Sequence, residues 1–482
     1  VDSIADIEDS LTDSLIDLET YINNIGSEKR PTISSAGTLD SIFKIISKHE
    51  PFKDKTFFLI IDEYENLRDE QQQVVNTLIK HTTAAYTFKI GVRQLGWRVR
   101  HTLNKTENLI SPADYVLIDI ENRFDEEGFS KFAEEICNSR ISKIFEELED
   151  EKQDSKPIKE LLTSISSDRE AEIQGISEII EPLRKEIKNT KNKALIETAD
   201  NLKDLDLYVV KYLADGKNED FLDTFKTVPK NQSDWKYRFN EYKYASLFTI
   251  RARRIGIKKY YAGWGTYTKL SAKNIRYLLE LVERALILHL KEGRELTQEV
   301  EASTQTHAAI AVGRKNLEEL DGLSTYGAKL TKLVLGLGRI FGVLASDSTG
   351  HAHEVNQFRI RTTDQKSFTD TEDWLMRGDT KASSLINAAV MHLAVIPFPG
   401  NKPKDEGETK DNTYQLHPIF APYFVFSHRK RRNLLLNEDQ IIGLLEDPRN
   451  TIKRVLEENN RIFSDEIPEQ LKLFGDYYNA GN

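Results

Sequence analysis

Apolar positions along the chain follow two periods, and each period predicts its own kind of element. Between residues 2 and 25, Ile4, Ile7, Leu11, Leu15, Ile16, Leu18 and Ile22 fall at helical spacing opposite an acidic face. The run GSEKRPTISSAG then interrupts with Gly and Pro. Residues 39–49 predict a short amphipathic helix. Residues 53–61 close on FFLII, five apolar positions in a row, which predicts a buried strand. Helical spacing returns over 69–81 through Val74, Val75, Leu78 and Ile79. YTFKIGVR (86–93) alternates as a strand does, and DYVLIDI (114–120) predicts another strand. Strand, helix, strand, linker, strand is the rhythm of a parallel α/β sheet.

The pattern then turns helical and highly charged. Residues 139–215 read as two long amphipathic helices joined by a polar link, with heptads too short-lived for a coiled-coil arm. Residues 235–264 are dense in aromatics and bases: Arg251, Arg253, Arg254, Lys258 and Lys259 stand among Tyr237, Tyr242, Tyr244, Tyr260 and Tyr261. Such a stretch suits phosphate contact with base stacking. It equally suits a buried helix whose Lys and Arg stems snorkel. Ile275, Leu278, Leu279, Val282 and Leu286 give one helical face. Residues 317–344 predict helix, Gly turn, helix; 351–360 a strand; and SSLINAAVMHLAVIPFPG a helix ending at Pro397. TYQLHPIFAPYFVFSHRKRRNLLL (413–436) predicts strand, tight turn, strand.

Composition narrows the class. The 482 residues suggest about three domains. Net charge is −11, from 67 basic and 78 acidic residues, which argues against non-specific coating of nucleic acid while leaving room for a local basic patch. The one cysteine, Cys137, excludes an intramolecular disulfide and a cysteine-built metal site, and fits a reducing cytoplasm. No apolar stretch reaches the roughly 18 residues of a membrane span. His351 and His353 form a close pair with no third ligand at a useful spacing.

The densest candidate chemistry lies at FFLIIDEYENL, where Asp62 and Glu63 follow the apolar run. Open α/β sheets place ligands at the C-terminal ends of their strands. In P-loop NTPases an acid there helps hold Mg²⁺, and a second acid can orient the attacking water. The same pattern also describes a core strand followed by an acid-rich helix start. No GxxxxGK[ST] loop, whose backbone N–H groups would cradle phosphates, occurs in the chain; GAKLT at Gly327 is the nearest imitation. The expectation is a P-loop upstream of Val1; the alternative is a degenerate ATPase. Arg93 ends the second strand, Arg98 and Arg100 follow it, and Arg123 follows the third. Each is an ordinary surface cation or a contact to a triphosphate.

FFLIIDEYENL, TFKIGVR, ADYVLIDIENRF and FSKFAEEICNSRI together resemble the AAA+ core of origin-recognition and replication-initiator ATPases, the bacterial relatives most of all. The resemblance implies an α/β P-loop NTPase core over residues 1–124. A helical lid with a charged insertion follows over 125–300, then a winged-helix-like region over 301–482. It implies ATP and Mg²⁺ as cofactors, Asp62 on the metal, Glu63 on the water, and Arg93 in the sensor place. It also implies Arg98 or Arg100 as an arginine finger in a homo-oligomer. Arg276, in SAKNIRYLLELVERAL, takes the sensor-2 place, with Lys273 and Asn274 where the family has Gly-Asp. HRKRR, with Arg429, Lys430, Arg431 and Arg432, would sit on the wing and touch DNA phosphates. A recognition helix would come from 324–342, where Lys329, Lys332 and Arg339 share a face.

The function so implied is a cytoplasmic ATP-binding and hydrolysing switch that couples nucleotide state to nucleic-acid or effector-protein binding, in bacterial defence or mobile-element biology. The alternative is a nucleotide-independent scaffold binding a protein or DNA. A signalling ATPase with a repeat-built sensor is disfavoured, because no repeat period is visible.

Overall fold

The computed structural model describes residues 42–53, 55–82, 86–93, 95–120, 124–147, 156–251, 255–323, 326–348, 354–361, 381–398, 413–464 and 466–479. The amphipathic pattern of residues 2–25, Arg123, Arg253, Arg254, His351 and His353 lie outside them. The chain divides into two compact units, residues 1–118 and 119–482.

In the first unit β1 (Phe57–Ile61) pairs in parallel with β2 (Tyr86–Ile90), Phe57 opposite Tyr86 and Ile61 opposite Ile90. Helix α1 (Asp69–Lys80) is the crossover between them. The expectation of a buried first strand does not hold. Phe58 and Ile60 are exposed, Ile60 at 74%, while Phe57 packs its ring 5.1 Å from Phe43. One face of the ribbon is covered and the other is open. DYVLIDI forms no strand: residues 115–119 carry no ladder, and Val116, Leu117 and Ile118 are exposed. Strand propensity without a partner backbone leaves the hydrogen-bonding groups unpaired, so pattern alone does not make a strand.

The second unit is helical around a small mixed sheet. Its helices are α2 (Glu126–Glu147), α3 (Ser167–Ile173), α4 (Ser177–Asn189), α5 (Lys193–Asn201), α6 (Asp204–Lys217), α7 (Gln232–Ile250), α8 (Trp264–Leu270), α9 (Ile275–Lys291), α10 (Ala302–Asp321), α11 (Gly327–Ser346), α12 (Lys381–Met391), α13 (Glu438–Glu446) and α14 (Pro448–Glu458), with shorter turns between. The two long helices expected over 139–215 are several shorter ones. Gly175 and Lys191 adopt positive φ (83° and 56°), and the Asn192 side chain accepts from the Ala194 and Leu195 N–H groups to start α5 afresh. Apolar residues of these helices join Tyr212, Phe225, Trp235 and Leu247 in one core, so the charged stretch is part of the body and not an arm.

The sheet runs in the order β4 (Val395–Phe398), β5 (Thr413–Leu416), β3 (Val355–Arg361), β6 (Arg432–Asn437). β3 pairs antiparallel with β5 and parallel with β6. The expected strand–turn–strand over 413–436 is therefore no hairpin, because β3 lies between its two strands. VIPF, expected within the end of a helix, is β4: Leu393 takes φ 56° and turns the chain out after α12. Helix α11 buries Leu330, Leu333, Val334, Leu337, Ile340 and Phe341 against α7, α10, α13, α14 and β3. A helix surrounded on so many sides is a core helix, with only Lys329 and Lys332 of the expected recognition face exposed.

Candidate functional site

The site in the first unit begins where β1 stops. Asp62 and Glu63 leave the C-terminal end of β1 with both side chains exposed. The ladder continues past the strand: Gly91 donates its N–H to Ile61 O (2.8 Å) and Tyr64 donates to Gly91 O (3.1 Å). A Cβ on Gly91 would stand 2.6 Å from Asp62 Oδ1, so a larger residue here would displace the Asp62 carboxylate. The Asp62 carboxylate accepts the Glu63 N–H at 2.9 Å. Glu63 itself sits in the left-handed region (φ 52°, ψ 43°), and its carboxylate accepts from Asn66 Nδ2 at 2.9 Å. A non-glycine residue held there stores strain, which persists where the surroundings over-determine it and is concentrated at functional sites.

Beside this pair runs the end of β2. Arg93 brings its Nε within 3.0 Å of Glu65 Oε1, and its backbone N–H donates to Glu65 Oε2 at 3.2 Å. Glu65 is buried, whereas the Arg93 side chain is 46% exposed. The loop beyond is clamped by α1. Gln72 donates to Gly96 O (3.0 Å) and accepts from the Arg98 and Val99 N–H groups. Asn76 donates to Val99 O and His101 O and accepts from Tyr64 Oη. Arg98 is spent inside this frame: its guanidinium donates to Glu65 O and Leu67 O and pairs with Asp69. Arg100 is exposed, stacks over Trp97 at 3.9 Å and donates to Tyr115 Oη. Sequence reasoning missed Glu65, Gln72 and Asn76. The readable signal was two amides four apart on the inner face of a helix that follows an acid-rich loop.

In the second unit, Arg276 opens α9. Asn274 caps the helix by accepting the Arg276 and Tyr277 N–H groups. Lys273 takes φ 65°, a conformation glycine reaches most cheaply. The local geometry thus accepts either Gly-Asp or Lys-Asn. The Arg276 guanidinium is exposed and pairs with Glu280 (3.0 Å) and Glu319 (3.2 Å), which hold its pKa above the usual value. Burial pushes the Glu280 carboxyl up, but hydrogen bonds from Asn316 and Arg276 and the Lys315 charge outweigh it and hold it below the usual range.

The basic run is divided by its surroundings. Arg429 is drawn inward onto buried Glu354, which also accepts from Ser427, and its guanidinium lies 4.2 Å from the Tyr244 ring centre. Lys430 is exposed and lies 3.3 Å over Phe398. Arg431 pairs with Glu241, and Arg432 is exposed on β6 with contacts of its own. Lys259, from the aromatic stretch, is fully internal and salt-bridged to Glu170 at 2.8 Å, the two side chains being 2% and 3% exposed. On α11, Lys332 donates to Leu445 O and Arg339 to Glu466 O.

A family model described as ORC-CDC6-like matches residues 1–436. The chain belongs to the ORC-CDC6-like family. The family is of the AAA+ ATPase type and generally binds ATP with Mg²⁺. Neither a curated protein nor a solved structure matches the chain. Among the described residues no helix is long and apolar enough to cross a membrane. Among them, too, no group of three or more His, Cys, Asp or Glu side chains could hold a metal ion alone. The two exposed carboxylates at β1 suit a hard divalent cation that takes its remaining oxygens from a nucleotide and water. The donor set therefore fits Mg²⁺ arriving with a triphosphate and does not fit a free-standing metal site.

Proposed function

We propose that this ORC-CDC6-like protein binds ATP with Mg²⁺ at the end of β1 and uses the nucleotide as a switch for nucleic-acid or partner binding. The observation that carries the reading is the exposed Asp62–Glu63 pair at the C-terminal end of a parallel strand, with Gly91 and Arg93 at the end of its neighbour. Magnesium would supply charge neutralisation on the phosphates. Asp62 binds that cation, directly or through water. Glu63, fixed by its left-handed backbone and by Asn66, orients the water and takes its proton. Arg93, whose side chain is half exposed, presents its guanidinium to the γ-phosphate. Of the two candidate fingers, Arg100 has the more available guanidinium, since Arg98 is tied within its own chain. DNA contact falls to the exposed Lys430, Arg431 and Arg432, while Arg429 serves the interior.

Calorimetric titration of the intact protein with Mg–ATP tests this. Asp62→Ala is expected to weaken binding at least about tenfold in Mg²⁺, with a smaller loss in EDTA. If wild type and variant bind no nucleotide, the site reading fails and the nucleotide-independent scaffold takes its place.

A further inference from the structure

We propose that Glu65 is a positioning residue for Arg93, and that it ties the acidic loop after β1 to the arginine after β2. The inference deepens the nucleotide reading and rests on it. Glu65 is buried in a unit with few buried apolar residues, and both of its carboxylate oxygens are engaged by one residue: Oε1 lies 3.0 Å from Arg93 Nε, and Oε2 accepts the Arg93 backbone N–H at 3.2 Å. A carboxylate that holds both the main chain and the side chain of one arginine fixes where the strand end lies and which way the guanidinium leaves it. The hold is on Nε, the inner nitrogen. The terminal Nη groups have no partner among the described residues and remain for a ligand.

The rest of the frame makes Glu65 a rigid post. Its own carbonyl accepts from Arg98 Nη1 at 2.7 Å. A Cβ on Gly96 would stand 2.6 Å from Glu65 Cβ, so the returning loop closes directly on it. Its neighbour Tyr64 donates its backbone N–H to Gly91 O and its hydroxyl to Asn76 Oδ1. Glu65 is only two residues from Glu63 and three from Asp62. A displacement of Arg93 by a ligand therefore pulls on the loop that carries both carboxylates. This gives a route by which occupancy at the arginine is felt at the acids.

The test measures affinity for ATP and for ADP, each with Mg²⁺, in the intact wild-type protein and in Arg93→Ala, Glu65→Gln, Glu65→Asp and the Arg93→Ala/Glu65→Gln double variant. A residue that senses the γ-phosphate sets the ATP-over-ADP ratio. Arg93→Ala is expected to lower that ratio about tenfold, as loss of a charge-assisted contact does. Glu65→Gln should lower it by a similar factor with ADP affinity nearly unchanged, and the double variant should be no worse than Arg93→Ala alone. Glu65→Asp, which keeps the charge, should recover part of the ratio. If Arg93→Ala lowers the ratio and the Glu65 variants do not, the positioning role is wrong and the nucleotide reading survives. If Arg93→Ala leaves the ratio unchanged while both nucleotides still bind, Arg93 is no sensor and the positioning role falls with it; the nucleotide reading falls only if neither nucleotide binds. Equal loss of ATP and ADP affinity in Glu65→Gln marks a merely structural role and overturns the proposal; Glu65→Asp gives the same reading should Glu65→Gln fail to fold.

Discussion

The two units are held by different chemistry. Among the described residues of the first, four apolar side chains are buried (Tyr64, Tyr86, Val99, Leu109) beside four polar ones (Glu65, Gln72, Asn76, Thr102). In the second, buried aliphatic and aromatic side chains dominate, and the buried Glu170 and Glu354 are paired with Lys259 and Arg429. Burial of area stabilises strongly and without direction. Hydrogen bonds contribute only about 1 kcal/mol net each but fix angles and distances. The described part of the first unit is thus held largely by directed bonds, which fix the loops that carry the two carboxylates and Arg93. The second supplies a stable body.

The largest effect that could break this contrast lies in the second unit. Lys259→Met leaves Glu170 buried without its partner and is expected to cost about 3–5 kcal/mol, read by chemical denaturation. Adding Glu170→Gln should restore a substantial part. A loss below about 1 kcal/mol in the single variant would mean that this pair is not part of what holds the body together.

Acid should distinguish the units next. Burial holds His417 and His428 down at about 3, the second helped by the charges of Lys259, Lys269 and Arg429. Their unfolded value lies near 6.5, so the unfolded chain binds more protons between those limits. Their contribution is complete above about pH 6.5 and is lost as pH falls toward about 3, by about 1.4 kcal/mol per pH unit for each histidine. His417 Nδ1 accepts the Ile419 N–H. In His417→Asn an amide oxygen can keep that bond, and the stability–pH slope between pH 6 and 4 should fall by about 1 kcal/mol per pH unit.

The first unit should respond locally. Gln72→Ala removes the clamp on Gly96, Arg98 and Val99 and should cost about 1–3 kcal/mol. Faster amide exchange should be confined to the loop 95–101 and its contacts. Exchange that also rises in α11 would contradict the separation of the two kinds of core. The smallest change in stability should come from Gly91→Ala, within about 1 kcal/mol, because the atom it meets is the movable end of Asp62. Its Mg–ATP affinity should nevertheless fall several-fold. A variant that binds as wild type would show that the position of Asp62 does not matter.

Local pattern made some of this legible. FFLII was legible as a strand from its apolar run and YTFKI from its alternation, and the two pair in parallel; that one face of FFLII is exposed was not legible. The acid pair was readable because it follows an apolar run directly. What stayed hidden depended on partners far along the chain. DYVLIDI has a strand's composition, but no strand pairs with it among the described residues. The join between α12 and β4 is a left-handed Leu393, which carries no turn signature. HRKRR shows five polar letters in a row; that Arg429 turns inward follows from Glu354, 75 positions away, and that Arg431 is paired follows from Glu241, 190 away. In the sequence Glu65 is one more acid after Asp62 and Glu63; what sets it apart is its contact with Arg93, 28 residues later.

ATP turnover by the intact protein carrying Glu63→Gln tests the central claim most directly. The variant should still bind Mg–ATP while hydrolysis falls by about 100-fold, the range expected when a positioned general base is removed. Hydrolysis at the wild-type rate in Glu63→Gln would contradict it.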